Sequence, residues 1–150
     1  MLTNAGKYAI RAVMYLAIHS NANKKMGAKT IAGALDIPQA FLAQLLRTLT
    51  TDRLISSSKG PGGGFYLEDA DREHTLWQVI VSIDGEHRFH ECFLGLSICD
   101  DAHPCPVHHL VSPFKKELLF NFQERTIGQL IEEIKDNGTV ISLKMPFLED

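Results

Sequence analysis

Residues 28–51, AKTIAGALDIPQAFLAQLLRTLTT, carry the strongest structural signal in this chain. Its first part reads as a short helix, Asp36-Ile37-Pro38 makes a turn, and Pro38 suits the first position of the next helix. Apolar residues at helical spacing then predict one buried face, formed by Phe41, Leu42, Leu45, Leu46 and Leu49. Two short helices joined by a tight turn, the second carrying glutamine and arginine, are the layout of a helix-turn-helix.

A glycine-rich hairpin, RLISSSKGPGGGFYL at residues 53–67, follows this unit. Residues 54–57 and 65–67 are the predicted strands, and the glycines between them permit positive φ and a close approach of the backbone to a neighbour. A phosphate-binding P-loop is the rival interpretation. That motif ends in Gly-Lys-Ser/Thr at the start of a helix, whereas Gly64 begins a Phe-Tyr strand. After a helix-turn-helix, the hairpin is interpreted as a wing.

Helical patterns lie on both sides of this winged unit. On the N-terminal side, residues 3–20 carry a broad apolar face, and Thr3 or Asn4 is suited to cap their helix. On the C-terminal side, a capping box at residues 75–78 predicts a helix that ends at about residue 84.

The remainder of the chain has weaker patterns. Residues 86–105 show no helical period and are expected to form a loop. Pro106 can open a further helix, which Pro113 would kink or restart. A second capping box, at residues 126–129, begins the last helix, and residues 139–150 form either a short strand or an ordered tail.

Composition and charge set the class of protein. The 150 residues are 45% hydrophobic, enough for one core, and no export signal or membrane-spanning run is recognisable, so a cytoplasmic protein is expected. The net charge of −3 conceals an asymmetry. Residues 1–66 contain 8 Lys/Arg and 2 Asp/Glu, whereas residues 67–150 contain 7 and 16. A basic first half suits contact with DNA phosphates.

All 3 cysteines fall in HECFLGLSICDDAHPCPVHH, residues 90–109, together with four histidines. Thiols and imidazoles gathered this closely suit an iron–sulfur cluster or zinc. The residues alone favour zinc, held by three cysteines and one histidine, over a cluster. A nucleophilic Cys–His pair, with Asp100 or Asp101 orienting the histidine, is a third interpretation. It is disfavoured because a nucleophile needs one cysteine and no oxyanion loop is recognisable.

Four segments together resemble the IscR-type winged-helix regulators, a family that includes the nitric-oxide sensor NsrR and the cysteine-metabolism repressor CymR. They are LTNAGKYAIRA at the start, IPQAFLAQLLRTL, the wing KGPGGGF and the cysteine trio. The resemblance covers about residues 2–136. It implies a DNA-binding homodimer, most often a repressor, that binds a near-palindromic operator and is not an enzyme.

The resemblance divides the chain into a winged helix-turn-helix at 1–84 (wing about 54–67), a cysteine loop at 85–105, and a dimerisation helix with a C-terminal helix and tail at 106–150. The fold class is thus mainly α with a small β-hairpin. The dimerisation stripe is expected at Val107, Leu110, Val111, Phe114, Leu118 and Phe122. DNA contacts are expected from Lys29, Gln39, Ala40, Phe41, Gln44, Arg47, Lys59, Gly60, Gly62 and Gly63. Arg11 is a further candidate for phosphate contact.

In the cluster-binding branch of the family, the matching ligands are Cys92, Cys99 and Cys105, with His108 fourth and His109 in reserve. An acidic ligand from the first helix, used by NsrR-like members, is not available because Lys7 and Tyr8 stand there. The resemblance favours [2Fe–2S] over [4Fe–4S], with zinc as the alternative, and a cluster that purification in air can remove. It implies sensing of redox, nitric oxide or iron status.

Overall fold

The computed structural model describes residues 1–137. The elements, in chain order, are α1 (Asn4–His19), α2 (Ala28–Leu35), α3 (Gln39–Thr51), β1 (Ser56–Ser58), β2 (Gly64–Tyr66), α4 (Leu76–Asp84), α5 (Glu86–His90), α6 (His108–Glu124) and α7 (Ile127–Asn137). A short 3-10 turn, Asp71–Glu73, lies between β2 and α4. The mainly α fold with a small β-hairpin is as predicted. The expected strand or tail at 139–150 lies outside the described residues.

The helix-turn-helix forms as expected. Asp36 ends α2 in the left-handed conformation, with φ 56°, and Pro38 caps α3 rather than being its first residue. The face of α3 that carries its four leucines is buried in the core. The predicted burial of Phe41 is wrong, because its side chain is 38% exposed. Phe41 lies at the border of the buried face of α3, where its ring packs edge-on against that of Tyr8 with the centroids 5.7 Å apart.

The first helix is the centre of the hydrophobic core. Its N-cap is Thr3, whose hydroxyl accepts the N–H of Gly6 at 3.0 Å, which confirms the predicted cap. Side chains from α1, α2, α3, α4 and α7 meet around it. The buried members of this cluster include Ala9, Val13, Leu16, Ile31, Leu35, Leu42, Leu46, Leu49, Val79, Ile127 and Ile131.

The wing is an antiparallel pair in which Ser57 lies opposite Phe65. The first strand begins two residues later than predicted, because Leu54 and Ile55 are buried in the core instead of pairing in the hairpin, and the second strand begins one residue earlier, at Gly64. The sequence did not reveal that Met26, before α2, would join the wing. Its N–H donates to the carbonyl of Phe65 at 2.9 Å, and its carbonyl accepts the N–H of Phe65 at 2.8 Å.

Gly64 is required where the wing meets Met26. It has φ +141°, and a Cβ built on it would lie 2.8 Å from the backbone of Met26. We expect Gly64→Ala to lower the free energy of unfolding by about 1–3 kcal/mol, because the backbone would be strained and the bridge opened. Gly33→Ala is the matched control. Its Cβ meets nothing within 4 Å, and the substitution should stabilise α2 by up to about 1 kcal/mol. Urea unfolding of both variants tests this; equal effects would contradict it.

The C-terminal third departs from expectation in two places. Residues 86–105 are not wholly a loop, because residues 86–90 form α5 around the buried Phe89. The next helix begins at His108 rather than Pro106, and Pro113 lies inside it without ending it.

The last helix returns to the N-terminal half of the molecule. Thr126 and Gln129 form the predicted capping box, with side chain-to-backbone distances of 2.9 and 3.1 Å. Ile127 donates its N–H to the carbonyl of His74 at 2.8 Å, and its side chain is buried with Ile131 in the core. In the part of the chain that the structure describes, no helix is long and apolar enough to cross a membrane.

Candidate metal centre and nucleic-acid interface

The three cysteines come together from separate parts of the chain. Cys92 follows α5, Cys99 lies in the loop, and Cys105 precedes α6. Their Sγ atoms all lie within 4.8 Å of one another. Cys105 is buried, Cys92 and Cys99 are half-buried, and all three are free thiols. The folded chain therefore holds a compact trio of soft ligands with one side accessible.

The local backbone favours a thiolate at one of these cysteines. Burial raises the pKa of the Cys92 thiol, but the N–H groups of Leu96 and Leu94, with smaller effects from the other two thiols, outweigh it and bring the pKa to about 7. At Cys99, the N–H of Cys105 lowers the pKa, but burial and the neighbouring thiols together raise it above its usual value. Of these two thiols, Cys92 therefore loses its proton first, near neutral pH.

This difference predicts unequal reactivity in the metal-free protein. As the pH rises through about 7, Cys92 becomes thiolate while Cys99 stays protonated, because the pKa of Cys92 is lowered and that of Cys99 is raised. Both thiols are half-buried, so similar access is expected. Iodoacetamide labelling followed by peptide mass analysis should find Cys92 modified first. Faster labelling of Cys99 would contradict this prediction.

His108 lies beside the trio, and both of its ring nitrogens have neighbours. Nδ1 lies 3.2 Å from the Sγ of Cys99, and Nε2 lies 3.0 Å from Oδ1 of Asp101. The hydrogen bond from His108, followed by the Lys116 cation, holds the pKa of the Asp101 carboxyl below its usual range. The predicted fourth ligand is therefore within reach of the sulfur atoms, although His108 as a ligand stays a prediction.

The other histidines of the segment have different surroundings. His109, the reserve ligand, is exposed on α6. His103 is exposed and lies 3.2 Å from Asp100 rather than by the sulfur atoms. His90 is exposed, and its ring contacts those of Trp77 and Phe89.

The surroundings of the trio suit a bound metal centre. A cavity of about 230 Å³ adjoins the sulfur atoms, and apolar side chains including Phe89 and Val111 line part of it. Lys115 and Lys116 also line it, so positive charge is available to offset several thiolates. A zinc ion with Zn–S bonds of about 2.3 Å would hold sulfur atoms about 3.8 Å apart. The trio, with all its sulfur atoms within 4.8 Å of one another, is thus close to the spacing for a single zinc ion. An iron–sulfur cluster would need the thiolates on different iron atoms to move apart, and Cys92 and Cys99, which would have to move, lie on the loop between α5 and α6.

The residues of the predicted dimerisation stripe differ in how far they are exposed. None of the residues of α6, all of them in the described range, is buried. Leu110 and Phe114 are 66% and 56% exposed, whereas Val107, Val111 and Leu118 are half-buried. Phe122 is half-buried and packs against Phe89, with ring centroids 6.1 Å apart. Most of the exposed large apolar side chains of residues 1–137 lie in this region: Phe93, Leu94, Leu96, Ile98, Leu110, Phe114 and Phe120.

The predicted DNA contacts lie at the surface of the winged half. The exposed members of the set are Lys29, Gln39, Ala40, Phe41, Gln44, Arg47, Lys59, Gly60 and Gly62. Gly63 is half-buried, and a Cβ there would lie 2.4 Å from the carbonyl oxygen of Ser58, so the wing tip itself requires glycine. The half-buried Arg11 donates a hydrogen bond from its guanidinium to the carbonyl of Leu35 and lies 5.7 Å from the ring centroid of Tyr8, and its contact with phosphate stays a prediction.

Two side chains that follow the wing, those of Asp71 and Arg72, hold the start of the wing in place through hydrogen bonds. The buried Asp71 accepts hydrogen bonds from the Ser56 hydroxyl at 2.7 Å and from the Glu68 N–H at 2.9 Å. The guanidinium of Arg72 donates to the carbonyl of Ala17 at 2.6 Å and to that of Ser20 at 3.1 Å. The wing is thereby held against the end of α1. No local sequence pattern indicates these contacts.

A carboxylate joins the cysteine region to the first helix. Asp84, the last residue of α4, accepts the N–H of Thr3 at 3.0 Å and also the Thr3 hydroxyl. A Cβ at Gly6 would lie 2.4 Å from this carboxylate, so glycine permits the contact. A negative charge is also favourable at a helix N-terminus. Asp84 immediately precedes the segment that carries the cysteines, and sequence reasoning did not identify it.

Comparisons with known proteins agree with this architecture. A profile of the Rrf2 family, described as iron-dependent transcriptional regulators, matches residues 2–133. A protein of Aquifex aeolicus (strain VF5) named as an HTH-type transcriptional regulator is 32% identical over 127 residues, 83% of this chain and 87% of that protein. The HTH-type transcriptional regulator IscR of Escherichia coli is 28% identical over 137 residues, 90% of this chain and 83% of the relative.

Solved structures share the fold. IscR of T. potens superposes with a TM-score of 0.68 at 18% identity, covering 93% of this chain and 92% of that one. The oxidized form of Staphylococcus aureus CymR superposes with a TM-score of 0.66 at 20% identity, covering 88% and 96%. The curated relatives are named as regulators of transcription, not as enzymes. With a family profile matched over nearly all of its described length, this chain belongs to the Rrf2 family of transcriptional regulators.

Proposed function

We propose that this regulator is a homodimer whose affinity for a near-palindromic operator depends on an iron–sulfur cluster held by Cys92, Cys99 and Cys105. The observation that carries the proposal is the convergence of the three Sγ atoms within 4.8 Å of one another in a DNA-binding family. We propose repression as the outcome of operator binding. The signal belongs to the class of redox, nitric-oxide or iron status.

His108 is the proposed fourth ligand, through Nδ1, which lies 3.2 Å from Cys99 Sγ. Three thiolates and one imidazole suit a [2Fe–2S] cluster, whose reduction potential a histidine ligand raises. When bound, the cluster would supply the redox- and gas-sensitive chemistry. Lys115 and Lys116, which line the adjoining cavity, would offset its negative charge. The same four ligands suit a structural zinc ion, which is the second candidate.

The dimer is supported by the apolar side chains that cluster on α6 and the cysteine loop. Leu110 and Phe114 are one helical turn apart and largely exposed. Exposed apolar surface of this extent is typical of a protein interface. We expect a second copy of the chain to cover it, because two helix-turn-helix units on one two-fold axis match a palindromic site.

The link between site and operator runs through contacts at both ends of the cysteine segment. Asp84 binds the N-terminus of α1 just before the segment begins. Lys115 of α6 donates a hydrogen bond to the carbonyl of Glu91 within it. A change in the packing of residues 91–107 would therefore act on α1 of the DNA-binding unit and on the dimer helix. The resulting change in the spacing of the two units would alter operator affinity.

The deciding experiment is anaerobic purification with iron supplied, followed by visible absorption and analysis of iron, sulfide and zinc. Operator DNA is first selected from a random library with the loaded protein. Charge-transfer bands, bound iron and sulfide, and a different affinity for the selected DNA in Cys99→Ala would support the proposal. Stoichiometric zinc without sulfide would favour the structural-zinc candidate. Equal DNA affinity of the loaded protein and Cys99→Ala would refute the sensing link.

The recognition helix predicts two distinguishable kinds of DNA contact. Gln44→Ala should cost about 1–3 kcal/mol of binding free energy on the selected operator and relax preference at one base pair. Arg47→Ala should weaken binding to all sequences and reduce the salt dependence by about one phosphate contact. Both side chains are exposed on α3. Fluorescence anisotropy at several salt concentrations separates the two behaviours, and identical behaviour would contradict the assignment.

A further inference from the structure

The imidazole of His108 lies between a thiol and a carboxylate. On one side Nδ1 is 3.2 Å from Cys99 Sγ, and on the other Nε2 is 3.0 Å from Asp101 Oδ1. The histidine side chain is 19% exposed and that of Asp101 is 82% exposed, so the carboxylate closes the solvent side of a mostly enclosed ring.

The chemistry of these two partners restricts the ring. An ionised carboxylate only accepts hydrogen bonds, so Nε2 carries the hydrogen that is shared with Asp101. A neutral imidazole has a single N–H. The lone pair of His108 is then at Nδ1, the nitrogen beside the sulfur atoms.

We propose that Asp101 is a positioning residue for the metal centre: it selects the Nε2–H tautomer of His108 and turns the Nδ1 lone pair toward the cysteine trio. This inference rests on the proposed function, in which His108 is the fourth ligand. Metal-binding histidines commonly donate their second N–H to a carboxylate, which fixes tautomer and ring direction. Because Asp101 is so exposed, its contribution is orientation rather than a large electrostatic energy.

Asp100, next to Asp101, makes different contacts and therefore serves as the control position. Its Oδ1 accepts the N–H groups of Ala102 and His103 at 2.9 and 2.6 Å, which holds the turn of the loop. Its other neighbour is the exposed ring of His103. Asp100→Asn keeps an acceptor oxygen for the turn while it removes one negative charge from the loop. Asp101→Ala removes one charge and also the partner of His108.

The first test uses the metal-free, reduced protein. Long-range ¹H–¹⁵N spectra of the histidine rings, recorded at alkaline pH, report which nitrogen of His108 carries the proton. We expect the Nε2–H form in the parent protein and in Asp100→Asn, and a mixture of both tautomers in Asp101→Ala. A parent protein without a predominant Nε2–H form, or an unchanged tautomer in Asp101→Ala, would overturn the inference.

The second test uses Co²⁺ as the probe under anaerobic conditions. Loss of such an outer partner typically costs 10–100-fold in metal affinity, so Asp101→Ala should bind Co²⁺ about 10–100-fold more weakly than Asp100→Asn. Equal affinities of these two variants would overturn the positioning role. A His108→Ala variant with the parent's Co²⁺ spectrum would instead refute His108 as the fourth ligand. The two failures are therefore distinguishable.

Discussion

Replacing Leu110 and Phe114 together by glutamate is expected to convert the proposed dimer into a monomer. Each protomer would place two buried carboxylates in an apolar interface, and burying an unpaired charge is strongly unfavourable. Because two linked half-sites bind with a high effective concentration, operator affinity should fall by about 10²–10⁴-fold. Sedimentation analysis and DNA-binding measurements on the double variant check both parts.

The matched control for this prediction is Ile18→Glu. Ile18 is also an exposed large apolar residue, but it lies on α1 and outside α6 and the cysteine loop. It should leave the oligomeric state unchanged. The α6 residues of the double variant are exposed in the protomer, so its circular dichroism should match that of the parent. A double variant that remains dimeric would show that the exposed face of α6 is not the interface.

The second large effect is expected for Cys105→Ala. Cys105 is the buried member of the trio, and without it only two thiols and the histidine remain near the site. Iron and sulfide content after anaerobic reconstitution should fall to background, with loss of the visible bands. The protein should still bind DNA non-specifically, because the winged half contains none of the cysteines. Full retention of iron and sulfide would contradict a three-cysteine centre.

Histidine variants then separate the fourth ligand from its neighbours. His108→Ala should shift the charge-transfer bands and shorten the lifetime of the proposed cluster in air, because one iron would lose the nitrogen ligand proposed for it. His103→Ala and His109→Ala should resemble the parent, since both side chains are exposed and away from the thiols in the contacts observed. A spectral shift in His109→Ala with none in His108→Ala would identify the reserve residue as the ligand.

Features with local sequence signals were predicted well. The turn at Asp36-Ile37-Pro38, the capping boxes and the glycine-rich wing each depend on neighbours a few residues away. All of them form, with the strands of the wing displaced by one or two residues from the prediction. The convergence of the cysteines was also foreseeable, because all three fall in a short segment. Local backbone preferences and short loops are sufficient to account for these successes.

The errors and omissions have a common physical origin in contacts between distant residues. The hydrogen bond from Arg11 to the carbonyl of Leu35, 24 positions away, was not foreseen. Phe41 had the right period for burial, yet at the rim of the core it packs on Tyr8 and stays partly exposed. Asp84 and Thr3 are 81 positions apart. No window of sequence contains both partners of such contacts, so periodicity cannot reveal them.

The return of α7 to the N-terminal half has a consequence for how such regulators diversify. Thr75 and Thr126, the N-cap residues of α4 and α7, form a bridge, so these two core helices begin side by side. The stretch between the end of α4 and Thr126, with the cysteines and α6, is in effect a cassette inserted between two helices of the core. Cassettes of other lengths, carrying other sensors, could be exchanged there without rebuilding the DNA reader. The seam for an engineered chimera would follow Gly85 on one side and precede Thr126 on the other.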